Sequence, residues 1–499
     1  MSAKIVIGKH TLESLTSGMY SDPYVVYREY IQNAVDSIDD AISKNVLKKG
    51  DENIVVQLSP TTNKISIRDN GMGIPASDAE RILISIGNSK KTSEMARGFR
   101  GIGRLSALSY CRNLSFITSF PKEKIGTRIT IDAEKLANLL RDDSTDISVK
   151  EVLEMVYRVE NFSEKEALHY FEVVMDGVDS NSELTDVEKV VEYLSQIVPV
   201  PYDPNFVWGK EIRNQIKKEG YEISEYNLVV KYGTVSTPIY KPYKDQMLVD
   251  KGRNISDCIE DIEIIKIPTK GNKLSAIGWI AKTNYLGSIY DKTVKGLRLR
   301  KGNIQIGDYQ TLNVIFKDAR FNGWALGEIF AVDNELVPNA RRDNFEKNQA
   351  YFLLLEQLST LSAKITKEIR SASLQRNKGL SKAIEKMDKA SKLAINAIEQ
   401  GANSSKRGAI SQKLKLAQNE VSESLQAGSI DDYQVISFDE LDMLIGKLKG
   451  ATEYKALNTI EKLSTTEKKI LERVFHVIEN LNVDGSTKIV DAILDEFSK

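Results

Sequence analysis

Cysteine and histidine are scarce in this chain. Its 499 residues hold two cysteines, Cys111 and Cys258, and three histidines, His10, His169 and His476. The cysteines lie far apart with no CxxC spacing, which excludes a disulfide framework and fits a reducing compartment. Histidines so scattered leave no material for a zinc cluster or a Ser-His-Asp hydrolase. No apolar run approaches the roughly 20 residues of a membrane span. The start, Met1-Ser2-Ala3-Lys4-Ile5-Val6-Ile7-Gly8, lacks a signal-peptide core, so a cytoplasmic protein without a membrane partner is expected. A dominant charge is missing too: 69 Lys plus Arg stand against 70 Asp plus Glu, so no global field draws the chain onto nucleic acid, leaving only local basic patches. No GxxxxGK[ST] loop occurs, and there is neither an internal repeat nor a low-complexity tract.

What is present is ample apolar material, 41% hydrophobic against 28% charged, enough for two or three packed domains. Residues 1–135 mix long helices with β-branched runs such as Ile54-Val55-Val56 and Lys64-Ile65-Ser66-Ile67, closing on Gly126-Thr127-Arg128-Ile129-Thr130-Ile131, and read as one α/β sandwich layer. A charged helical connector is expected over 136–195. Val198-Pro199-Val200-Pro201-Tyr202-Asp203-Pro204 breaks the helical period and opens a middle α/β domain, 196–347, with strands expected at Tyr226–Tyr232, Ile262–Ile267, Ile277–Lys282 and Leu297–Ile306. From 348 to 499 the composition is helical, with Leu354, Leu358, Leu361, Ile365 and Ile369 at helical spacing. Breaks are expected at Gly401-Ala402-Asn403-Ser404-Ser405 and Ala427-Gly428-Ser429, and a capping box at Ser464-Thr465-Thr466-Glu467. The fold class is therefore α+β.

Three motifs carry chemistry. Ser21-Asp22-Pro23 is a helix start with proline inside the first turn, and the helix that follows, to about Asn45, puts Glu29, Asn33 and Asp36 at i, i+4 and i+7 on one stripe. A base, a metal-ligating amide and an acid then share a face; the same pattern also suits a solvated face. Asp69 ends a strand and enters Asn70-Gly71-Met72-Gly73, where glycines let the backbone approach a flat ligand closely and the carboxylate can accept a hydrogen bond from an exocyclic amine such as that of adenine. Alone, Asp-Asn-Gly is also an ordinary turn. Gly98-Phe99-Arg100-Gly101-Ile102-Gly103 opens an expected helix, Ile102 to Tyr110, whose free N–H groups would suit an anion; the same glycines also suit a plain turn. Upstream, Gly87-Asn88-Ser89-Lys90-Lys91 reads as a loop closing over phosphates or as surface lysines.

In their order and spacing these motifs resemble the GHKL ATPase superfamily, which includes gyrase, the ninety-kilodalton heat-shock chaperone, MutL-type and MORC proteins, over the first 135 residues. The resemblance implies an N-terminal Bergerat α/β sandwich, a transducer-like middle domain, and ATP and Mg²⁺ as cofactors. By match, Glu29 resembles the general base and Asn33 the magnesium ligand, with Asp36 supporting the pocket. Asp69 resembles the adenine-reading carboxylate, with Gly71 and Gly73 as its loop. Lys90, Gly98, Arg100, Gly101, Ile102 and Gly103 resemble the lid and phosphate cradle, and Thr127 the threonine that reaches the base edge through water. The segment Gly327–Asp343 is similar to the chaperone family's middle-domain segment that ends in a catalytic arginine, matched best by Arg342 and next by Arg341. Arg300 and Lys301, on a strand of alternating cations that otherwise reads as solvated, are the fallback. The resemblance implies a homodimeric ATP-driven clamp with a protein client or partner subunit, the tail holding the dimer. The alternative is a MORC-like or MutL-like ATPase on DNA, as in a bacterial anti-phage defence or repair system, with Lys295, Arg298, Arg300 and Lys301 or the lysine-rich helices at 364–392 as its basic stripe.

Overall fold

The computed structural model describes residues 22–84, 103–142, 147–269, 273–400, 404–426, 438–450, 457, 460–480 and 486–498. The chain divides into two compact units, Met1–Asn284 with Ser288–Thr366, and Tyr285–Gly287 with Lys367–Lys499. The architecture is α+β, as expected.

The first unit begins with helix α1, Val25–Ser43. Asp22 serves its start by accepting the Tyr24 N–H at 2.9 Å, so Pro23 precedes the helix instead of lying in its first turn. The helix packs on an eight-stranded sheet made of β1 (Ile54–Ser59), β2 (Lys64–Asp69), β3 (Asn113–Ser119), β4 (Ile125–Asp132), β5 (Tyr157–Ser163), β6 (Tyr170–Asp176), β7 (Leu228–Tyr232) and β8 (Val235–Pro238). Their order is β5-β4-β3-β6-β2-β1-β7-β8. Every pair is antiparallel except β1 with β7. Helices α2 (Ala76–Ile84), α3 (Ala133–Arg141), α4 (Val149–Val156) and α5 (Val187–Ile197) complete this layer. Val26, Ile31, Val35 and Ile38 of α1 pack with Ile65, Ile67, Phe116, Ile129 and Ile131, the alternate residues of half-buried strands.

The connector expected over 136–195 is thus only partly helical, since it supplies β5 and β6 to the sheet. Likewise the strand expected to open the middle domain, β7, pairs with β1. Pairing over such sequence separations satisfies backbone groups that no local pattern announces.

Helix α6, Gly209–Lys218, precedes a six-stranded sheet of β9 (Gln246–Asp250), β10 (Ile255–Pro268), β11 (Leu274–Thr283), β12 (Gly296–Lys301), β13 (Ile304–Ile306) and β14 (Leu326–Ala331), ordered β13-β12-β14-β11-β10-β9. The strand expected over Leu297–Ile306 is two strands. Gly302 and Asn303 both have positive φ, 55° and 62°, and between the Lys301↔Ile304 pair they form the two-residue hairpin turn that glycine and asparagine favour. Nor is β12 solvated: Arg298 and Arg300 are each 1% exposed.

The unit boundary, Thr366/Lys367, falls inside helix α7, Gln349–Gln400. In the second unit the later part of α7 offers Leu380, Ala383, Met387, Ala390, Ala394 and Ala397 at alternating three- and four-residue steps. These pack against Ile410, Leu414, Ala417 and Val421 of α8 (Ser404–Gln426) and Leu441, Ile445 and Leu448 of α9 (Phe438–Gly450). Such stripes make an intrachain helical core. Helix α10, Thr465–Asn480, starts with the expected capping box: Glu467 accepts the Ser464 N–H at 2.8 Å and Ser464 Oγ accepts the Glu467 N–H at 3.4 Å. Helix α11 spans Ser486–Ser498. Of the two expected breaks, Gly401-Ala402-Asn403 and Ala427-Gly428-Ser429 lie outside the described residues, while Ser404 and Ser405, expected in the first break, begin helix α8.

Candidate functional site

Helix α1 runs as a beam across the site. Glu29 lies near its start and is 6% exposed, while Asn33 and Asp36, further along the same stripe, are half-buried. Two turns beyond Glu29, Ser37 O accepts the Met72 N–H at 3.0 Å, tying the Asp69-Asn70-Gly71-Met72-Gly73 loop to the helix. Eight residues separate Glu29 from Ser37, about 12 Å of helix. The acidic loop and the carboxylate therefore stand at opposite ends of one rigid edge.

The loop needs its glycines for different reasons. A Cβ on Gly71 would run into the α1 backbone, lying 2.6 Å from Ser37 C, whereas Gly73 has φ +66° and lies against the Ser119 and Tyr170 carbonyls, a conformation and a proximity that side chains resist. Asp69 is buried and its Oδ1 accepts the Gly71 N–H at 2.8 Å. His169 Nδ1 lies 2.7 Å from Gly71 O, and Ile74 N donates to Thr118 Oγ1 at 2.8 Å.

Strand register then sets Asp69 in a row. It pairs with Phe171, Phe171 with Thr118, Thr118 with Thr127, and Thr127 with Asn161. Directly opposed residues of an antiparallel pair share a face, so one end of the sheet's helix-covered face carries a carboxylate, an aromatic ring, two hydroxyls and an amide. Thr127 Oγ1 donates to Asn161 Oδ1 at 3.0 Å. Phe171, Thr118, Asn161 and His169 escaped the reading of the sequence because only register brings them to Asp69; nothing local marks them.

At the other end of α1, Gly103 packs so closely on Glu29 that an added Cβ would collide with its Oε2. Gly103 opens a 3₁₀ segment, Gly103–Ser109, in place of the α-helix expected from Ile102 to Tyr110. Tyr30 Oη holds this segment by donating to Arg104 O at 2.8 Å. Lys90, Gly98, Arg100, Gly101 and Ile102 lie outside the described residues.

The second sheet also contributes. Arg342 Nε donates to Glu29 Oε1 at 2.9 Å, with side chains 13% and 8% exposed. The neighbouring Arg28 donates from its Nη2 to Arg341 O at 2.9 Å, and its Nε is 3.8 Å from Glu29 Oε1. Arg342 sits at φ +57°, a left-handed conformation that costs a non-glycine residue about 1–2 kcal/mol. The loop holds it there: Pro338 bridges to Phe345, Asn339 N donates to Asn344 O at 2.9 Å, and Gly307 N donates to Arg342 O at 2.9 Å. Such strain marks a backbone over-determined by its surroundings, as at functional sites. Arg341, by contrast, points to an exposed pair with Asp343 at 3.1 Å.

The fallback cations have other work. Arg300 and Lys241 pair with Glu328, the lysine at 2.8 Å and wholly buried, and Tyr202 Oη donates to the same carboxylate at 2.6 Å. Burial drives the Glu328 carboxyl up, but the Arg300 and Lys241 charges outweigh it and hold it at about 2. Lys301 donates to Asp333 O at 2.7 Å, and burial lowers it to about 8. Arg298 donates to Lys292 O. The basic stripe envisaged at Lys295, Arg298, Arg300 and Lys301 is therefore largely internal, a consequence of β12 being buried on both faces.

Residues 20–164 match the family described as "Histidine kinase-, DNA gyrase B-, and HSP90-like ATPase". That segment holds α1, the acidic loop and five of the eight strands of the first sheet, so the similarity to ATPases of the GHKL superfamily rests on this part of the chain. Chaperone protein HtpG of a Polaromonas species is 34% identical to the chain over 92 residues, 17% of this chain and 15% of that protein. The chain thus spans well under two thirds of that curated relative's length. Among the described residues no helix is long and apolar enough to cross a membrane.

Proposed function

We propose that this protein is a magnesium-dependent ATPase in which Glu29 is the general base and Arg342 completes the site. The observation that carries the reading is the Arg342–Glu29 pair, because it brings the matched base and the matched arginine together across two sheets at 2.9 Å. The site's contents fit the nucleotide. Asp69 offers a buried acceptor to an exocyclic amine, the Gly71 and Gly73 loop permits close approach of a flat ring, and Asp36, Thr118 and Thr127 with Phe171 line that end. Gly103 and the preceding lid, including Lys90, Gly98, Arg100, Gly101 and Ile102, receive the phosphates. Asn33 holds Mg²⁺, which when bound supplies charge neutralisation of the triphosphate. Glu29 takes the proton of the attacking water, and the Arg342 guanidinium stabilises charge on the transferred phosphoryl oxygens.

The biological setting that suits this best is a cytoplasmic, homodimeric clamp similar to the chaperone relative, acting on a protein client or partner subunit. A MORC-like or MutL-like role on DNA, for instance in anti-phage defence, is less well supported. The Arg298 and Arg300 cations are internal, and Lys364, Lys386 and Lys389 pair with Glu263, Glu420 and Glu385. The test is Glu29→Ala assayed for phosphate release and, by calorimetry, for ATP binding. Release should fall by about 10²–10⁴ with binding retained; an unchanged rate contradicts the assigned base.

A further inference from the structure

We propose that Glu29 also acts as the resting counter-ion of Arg342, and in that role sets how strongly the site distinguishes a nucleoside triphosphate from a diphosphate. The inference rests on the ATPase reading above and adds a selectivity mechanism to it. The Glu29 side chain is 8% exposed: its Oε1 accepts from Arg342 Nε at 2.9 Å, and its Oε2 lies so near Gly103 that no Cβ fits there. With Oε1 held by a cation, the carboxylate is a weaker proton acceptor for an attacking water than it is once that cation has left. Arg342 already gives its Nε–H to Glu29, so turning the guanidinium's Nη fork squarely onto a terminal phosphate pulls against that bond. The two partners therefore compete for one guanidinium, and the planar fork of arginine suits either anion.

A triphosphate draws Arg342 away and uncovers the base; a diphosphate has no group in that place and leaves the pair intact. Arg28 makes the exchange feasible. Its Nε stays 3.8 Å from Glu29 Oε1, and its Nη2 keeps the Arg341 carbonyl, so the carboxylate keeps a cation beside it and the arginine loop stays anchored on α1. Without that second cation, withdrawal of Arg342 would leave a buried charge alone, which is costly.

The measurement is calorimetric binding of β,γ-imido-ATP and of ADP, both with Mg²⁺, to the full chain as wild type, Glu29→Gln, Arg342→Ala and the double variant. Glu29→Gln is isosteric and removes the charge that holds Arg342, leaving at most a neutral hydrogen bond, so it should tighten the triphosphate analogue about tenfold, leave ADP within about twofold, and lose the gain in the Arg342→Ala background. Arg342→Met serves as a second background should the alanine variant not fold. Equal affinity of Glu29→Gln and wild type for the analogue overturns the inference while the ATPase reading stands. Tightening that persists without Arg342 overturns it also, since relief of carboxylate–phosphate repulsion then accounts for the gain. Failure of the wild type to bind either nucleotide overturns the inference together with the ATPase reading.

Discussion

Gly103 shows how much a single hydrogen can decide. A methyl at that position would strike Glu29 Oε2, and because Glu29 is enclosed by Arg342 and α1 it cannot swing aside freely. Gly103→Ala is therefore expected to lower ATP turnover by tenfold or more with little change in the unfolding midpoint, measured by phosphate release beside a denaturant melt; wild-type turnover would mean that the carboxylate is not held where hydrolysis needs it. At the other end of α1, Asp69→Asn replaces an acceptor-only group by an amide. A charge-assisted bond to a base amine is worth about 1.5–3 kcal/mol, so ATP affinity should drop roughly ten- to hundredfold by calorimetry, and an unchanged affinity would discredit that pocket. Glu29, Asn33, Asp69 and the loop glycines were legible in the sequence because their spacing encodes one helix stripe and one turn. Phe171, Thr118 and Asn161 were not, because strand register across β6, β3 and β5 is a tertiary property. Arg28 was visible beside Glu29, but its bond to the Arg341 carbonyl depends on a loop more than 300 residues away.

Among the elements, β12 and β14 depart furthest from what their residues advertise. Alternating cations in Gly296-Leu297-Arg298-Leu299-Arg300-Lys301 normally mark a solvated face, yet the strand is buried and its cations are absorbed by Glu328 and by carbonyls. Arg300 Nη2 also donates to Gln196 O of α5 at 2.8 Å, and Asn303 Nδ2 to Ser224 O at 2.7 Å, so this polar core helps fasten the second sheet to the helical layer of the first. Glu328→Gln removes the one carboxylate shared by Lys241 and Arg300, and truncating one partner of a buried ion network costs about 3–5 kcal/mol; urea denaturation should show a loss of that size. The acid limb gives a second readout. Glu328 is held at about 2, below its ordinary 4.5, so its contribution is fully present above the ordinary value and is lost as pH falls from there toward 2. Wild-type stability should consequently decline more steeply between pH 5 and 3 than that of Glu328→Gln, and parallel acid limbs would show that the carboxylate is not charged in the fold. The hairpin at Gly302-Asn303 and the capping box at Ser464 could be read locally; the crossover order of both sheets could not, because it follows from which strands find partners far along the chain.

For the molecule as a whole, the match to known ATPases covers residues 20–164, yet Arg342, which meets Glu29, comes from a loop beyond the second sheet. Under the proposed function a site divided in this way would make hydrolysis answer to the docking of the Arg342 loop on α1, as the clamp reading requires. The helical second unit satisfies Leu380, Met387, Leu414 and Leu441 within the chain, so those apolar stripes need no second copy, and dimerisation has to be measured directly. Sedimentation velocity at micromolar concentration, with and without β,γ-imido-ATP, should show a dimer under the clamp reading; a monomer throughout removes the clamp and leaves hydrolysis untouched. The sharpest test of the shared site is a cycle of Glu29→Ala, Arg342→Ala and the double variant in single-turnover phosphate release at saturating MgATP. Groups acting as one unit lose their effect together, so each single change should cost at least about a hundredfold and the pair little more than the worse single. Independent, multiplying losses, or an Arg342→Ala rate equal to wild type, would contradict it.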